Sequence, residues 1–70
     1  MKIIDIQSLG KEIRRRRRSL RYTQSFLAEF SGLSVSFISD LERGKETAEI
    51  GKVLYLVQLL GMDLELEIRE

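Results

Sequence analysis

The 70-residue chain has no cysteine, no histidine and no proline. Without cysteine it forms no disulfide, and without cysteine and histidine a structural zinc site loses its usual ligands. The same absences remove the thiol nucleophile and the imidazole base. No pair of acids and no Ser/Lys spacing stands apart from ordinary surface charge, so no enzyme is expected and no cofactor or metal is implied. No proline-rich linker divides the chain, which reads as one domain over residues 1–70. Apolar runs end after a few residues, far short of the ~20 that span a bilayer, so no membrane partner is expected. The lack of cysteine fits a reducing, cytoplasmic setting. A chain this short buries only about 60% of the surface its unfolded state exposes. Lacking staples, it must rely on well-packed helices or on association, which favours a dimer.

What the chain does have is charge, unevenly placed. The net charge is +1, yet residues 1–21 hold eight basic side chains against two acidic ones. Residues 22–44 hold one base against three acids, and residues 45–70 three bases against six acids. A basic end and an acidic end suit a phosphate-facing surface and a separate partner-facing one.

Asp5 is a good N-cap, and Ile6, Leu9, Ile13 and Leu20 follow at helical spacing, predicting a first helix from about Ile6 to Leu20. Met1 to Ile4 reads as extended or frayed. Five consecutive arginines ride on this helix, too regular a setting for a targeting tail. On the helical wheel Arg14, Arg15 and Arg18 point away from the apolar sector, free to meet phosphate or water. Arg16 and Arg17 flank the sector, and Arg17 should lay its stem on the core edge and find a carboxylate. Arg21 follows where a helix often ends in a left-handed residue, at a cost of roughly 1 kcal/mol for a non-glycine.

Thr23 to Gly44 reads as two short helices broken by one glycine, the sequence form of a helix-turn-helix. Thr23 caps the first, with Leu27 and Ala28 facing inward. Gly32 supplies a left-handed turn, Leu33 plugs the core and Ser34 caps the second. Phe37, Ile38 and Leu41 form the buried face of that second helix. A recognition helix offers its N-terminal residues to base edges in the major groove of double-stranded DNA. Here those residues are Ser34, Val35, Ser36 and Ser39. Serine accommodates several bases and valine meets only a thymine methyl, so direct readout is mild and DNA shape carries much of the selectivity. Gln24 bonds a phosphate or positions the recognition helix, while Thr23, Arg43 and Lys45 flank the surface within reach of the backbone.

Thr47 is expected to cap a fourth helix, with Glu49 in its first turn. Its core face is read as Ile50, Val53, Leu54, Val57 and Leu60, widened by Leu56. Tyr55 and Leu59 fall on the far side as surface neighbours, an expected dimer contact. After Gly61 the period changes. Met62, Leu64, Leu66 and Ile68 alternate with charged residues, a β-strand pattern over about 62–69. A lone strand needs a partner, either the Lys2 to Ile4 segment or, preferably, the same strand of a second copy. Two-fold pairing would also double the reading helix for a palindromic site.

Thr23-Gln24, Leu27-Ala28, Gly32-Leu33-Ser34, Ile38-Ser39 and Glu42-Arg43-Gly44 together resemble the Cro/repressor-type (XRE) helix-turn-helix. The resemblance implies a mainly α, four-helix domain and an ion pair between Arg17 and Glu42. Phe26 departs from the pattern, where a polar residue is usual; it either packs against the first helix or contacts a partner. The four helices with a terminal strand, the Leu9-Gly10 start, the Gly51-Lys52-Val53-Leu54 run and the Leu60-Gly61 helix end look like the HipB-like antitoxin repressors. That likeness implies a bacterial homodimer that represses its own operon and binds a HipA/HipT-like kinase toxin. The alternatives are a stand-alone repressor of the same fold and a module that neutralises a toxin without DNA.

Overall fold

Asp5 begins the first helix through a reciprocal cap. Its carboxylate accepts from the Ser8 N–H at 2.8 Å, and the Ser8 hydroxyl accepts from the Asp5 N–H at 3.1 Å. The Ser8 N–H bond also holds the Asp5 carboxyl below its ordinary pKa. In the computed structural model, which describes residues 2–69, α1 runs Ile6–Ser19, α2 Gln24–Ser31, α3 Val35–Glu42 and α4 Ile50–Leu59. Met1 and Glu70 lie outside the described residues.

The breaks between helices follow the side-chain chemistry. Arg21 adopts φ 62°, and the Tyr22 N–H closes the end of α1 on the Arg17 carbonyl at 3.1 Å. Thr23 then accepts from the Phe26 N–H at 3.0 Å to start α2. Gly32, at φ 80°, turns the chain, and Ser34 accepts from the Phe37 N–H at 3.0 Å to start α3. Each such cap is worth about 1 kcal/mol.

The core is built from Ile13 of α1, Leu27 of α2, Ile38 and Leu41 of α3, and Val53, Leu56, Val57 and Leu60 around α4, with Leu9 and Ala28 at its edge. Leu33 and Phe37 pack against it while half-buried. Burying each large aliphatic side chain stabilises by about 1.5–3 kcal/mol. Helix α1 approaches the end of α3 so closely that a Cβ on Gly10 would collide with the Leu41 carbonyl oxygen. This is the approach that sets α3 against its support.

Three expectations are corrected. Thr47 does not cap α4. The chain forms a turn after Gly44, closed by the Ala48 N–H on the Lys45 carbonyl, and the flanking residue is Glu49, without a side-chain cap bond. The buried arc of α4 is also rotated. Leu56 is fully buried, whereas Ile50 is 63% exposed and Leu54 38%. The helix has more apolar residues than one face can hold, so docking, not periodicity, selects the buried sector.

The third correction concerns the C-terminal strand. Residues 62–69 form no strand among the described residues. Alternation divides side chains between two faces, but a ladder needs a second backbone, and no backbone hydrogen bond joins this segment to residues 2–4. Met62 stays half-buried against the core, while Leu66 and Ile68 are 96% and 95% exposed.

Candidate nucleic-acid interface

The start of α3 points outward. Val35 is 41% exposed, and Ser34 and Ser36 are exposed beside it. Ile38 and Leu41, on the opposite side of the same helix, are wholly buried. This is the division a reading helix needs, with one face free and the other immobilised.

The immobilised side ends in a buried polar cluster. Arg17 donates from Nε to Glu42 Oε2 at 2.6 Å and from Nη2 to Oε1 at 2.9 Å, and its Nη1 donates to the Tyr22 carbonyl at 2.8 Å. Gln24 donates from Nε2 to Glu42 Oε1 at 3.0 Å. The two charged residues retain only 7% and 8% of their accessible surface. The Glu42 hydrogen bond raises the Arg17 pKa further above its already high value. A bidentate guanidinium–carboxylate contact fixes orientation as well as distance. The cluster therefore ties α1, the α1–α2 turn, the first residue of α2 and the end of α3 into one rigid support. Of the two roles open to Gln24, the structure places its amide nitrogen on Glu42.

Arg43 and Lys45 are exposed and tied to the end of α3. Arg43 donates to Ser39 Oγ and to Asp40 Oδ1, both at 2.7 Å, and Lys45 Nζ lies 3.4 Å from Asp40 Oδ2. Exposed pairs of this kind contribute at most about 1 kcal/mol and exchange readily for another anion. A shallow concavity brings Gln24, Ser39 and Arg43 together with Arg14, Arg17, Arg18 and Glu42. Thr23, Ser34, Val35, Ser36 and Lys45 lie outside its lining. Sequence reasoning left Arg14 and Arg18 undecided between phosphate and water. Their places one residue and one turn from Arg17 were the signal that links them to this surface.

Arg16, which the wheel put beside the core without a partner, donates from Nε to the Leu60 carbonyl at 2.8 Å. A cation on the last carbonyls of α4 is favourably placed against the helix dipole. The expected dimer residues divide. Leu59 is half-buried and packs against the core. Tyr55 is 45% exposed, but its hydroxyl donates to the Ser31 carbonyl at 2.7 Å. Leu64, Leu66 and Ile68 remain exposed. Phe26 packs tilted against Tyr22 at 4.8 Å and parallel to Phe30 at 6.0 Å, an aromatic row in which Phe26 and Phe30 are about half exposed.

Among the described residues no helix is long and apolar enough to cross a membrane, and no group of acids gathers as a metal site. A family model described as a helix-turn-helix domain matches residues 8–68. The HTH-type transcriptional regulator y4mF of Sinorhizobium fredii is 41% identical over 58 residues, spanning 83% of this chain and 76% of that protein. Among solved structures, the HipB–O4 20mer complex contains a chain that superposes with a TM-score of 0.87 at 23% identity, covering 100% of this chain and 99% of that one. The HipA–HipB–O2–O3 complex contains a chain matching with the same score, identity and coverage. At these identities the structural likeness bears on the fold.

Proposed function

The chain belongs to the helix-turn-helix domain family, and from that premise we propose that it is a sequence-specific repressor of transcription that binds a palindromic operator as a homodimer. The observation that carries this reading is the outward face of α3. Val35 and Ser36 are exposed over a helix whose other side is held by the core and by the Arg17–Glu42–Gln24 cluster. Thr23, Arg43 and Lys45 form the phosphate-facing rim of the proposed site, Gln24 positions α3 through Glu42, and Ser34, Val35, Ser36 and Ser39 make its base-facing head. Because none of these reading residues offers a bidentate contact to a purine, selectivity rests on two copies at fixed spacing and on DNA shape.

The finer part of the proposal is that the repressor is the antitoxin of a kinase-type toxin and controls their shared operon. It is supported by the likeness in fold to the HipB chain of a HipA–HipB–O2–O3 complex and by the acidic C-terminal third of the chain.

Footprinting on the DNA upstream of the chain's own gene tests the DNA-binding reading. The wild type is expected to protect a palindrome. A Val35→Ala, Ser36→Ala variant should keep its helix content and lose about tenfold or more of its preference over mixed-sequence DNA. Undiminished preference would place the reading head elsewhere. Co-purification with the product of a neighbouring kinase-like gene tests the antitoxin half.

A further inference from the structure

Arg14 and Arg18 stand one turn apart on α1, both exposed. Among the described residues neither has a carboxylate within ion-pair distance. Arg15, between them, has Glu12 at 3.6 Å. The concavity at the end of α3 is lined by Arg14 and Arg18 together with Gln24, Ser39 and Arg43, over the Arg17–Glu42 pair. Arg17 and Glu42 neutralise each other there, so the charge left facing solvent is positive. A second depression lined by Lys11, Arg14, Arg15 and Arg18 lies beside it on α1. The two share Arg14 and Arg18, and together they make a basic track that begins at the reading helix and runs onto its support.

The lining selects by charge. The heads that ring both depressions are cationic apart from Gln24, Ser39 and a Glu42 already paired with Arg17, so the surface favours an anion. A guanidinium fork matches a phosphodiester oxygen pair in shape as well as charge. A duplex seated on α3 would carry a line of such groups past the site. We propose that Arg14 and Arg18 each hold a backbone phosphate of the same duplex that α3 engages, so that helix 1 widens the footprint beyond the reading helix. This rests on the DNA-binding reading above and assigns two members of the arginine run a task distinct from that of Arg17, which is buried.

The test is the salt dependence of binding to a mixed-sequence duplex of about 20 base pairs, where the slope of log K against log [NaCl] counts the phosphates engaged at roughly 0.9 apiece. Arg14→Gln and Arg18→Gln should each lower the slope by about 0.9 for every protomer bound. Lys52→Gln removes the same charge from α4, outside both depressions, and should leave the slope near that of the wild type. Equal losses in all three variants would reduce the effect to a general field and overturn the assignment, as would no loss in any. A wild type with no affinity for duplex DNA would instead overturn the DNA-binding reading itself. Circular dichroism of each variant keeps a folding defect from imitating a lost contact.

Discussion

At the scale of single residues, Arg17 does the most for this molecule. Its guanidinium uses three nitrogens on two acceptors, Glu42 and the Tyr22 carbonyl, so truncation would strand a buried carboxylate and a backbone oxygen together. Arg17→Ala should cost about 3–5 kcal/mol, read as a lowered midpoint in urea. An unchanged midpoint would mean that water reaches Glu42. The wheel placed Arg17 at the core edge, and the family pattern implied its partner. Nothing in the sequence shows that Gln24 joins the same carboxylate, because that requires the ends of three elements to converge. Arg16 was harder still to read. Its acceptor is a main-chain oxygen 44 positions away, and every residue carries such an oxygen.

At the scale of elements, the first three helices were legible because each announces itself twice, by a capping side chain and by apolar spacing. The fourth lacks a cap and is apolar over too wide an arc, so the expected start is too early and the expected buried face wrongly includes Ile50 and Leu54. The contact of α1 with α3 is set by Gly10. Gly10→Ala should destabilise by roughly 1–3 kcal/mol, because the methyl meets backbone and cannot be relieved by a rotamer change. Gly51→Ala, where a Cβ meets nothing within 4 Å, should instead stabilise by up to about 1 kcal/mol. Thermal unfolding of the two variants separates close approach from simple helix preference. Equal shifts would show that α1 can move away from α3.

At the scale of the whole molecule, the segment after Met62 is the part a single chain leaves unfinished. Leu66 and Ile68 are bare to water, and burying such side chains is worth about 1.5–3 kcal/mol each. On the proposed two-fold reading, deleting residues 63–70 should leave a folded monomer that no longer protects an operator. Sedimentation velocity checks the first half and footprinting the second. A sedimentation coefficient that falls only by the lost mass would separate dimerisation from this segment. Residues 62–69 alternate in sequence, yet a pattern in one chain cannot specify which backbone completes it.

The split between the two faces of α3 has a consequence over generations. Among the described residues Val35 and Ser36 make no side-chain hydrogen bond, and they stand outside the core, so exchanging them costs the fold little, within about 0.5 kcal/mol for an ordinary exposed site. Ile38, Leu41 and Glu42, on the same eight-residue helix, tolerate almost no change. Duplicated copies of such a gene could thus drift apart in the DNA they address while inheriting an unaltered scaffold, and their targets would diverge faster than their folds.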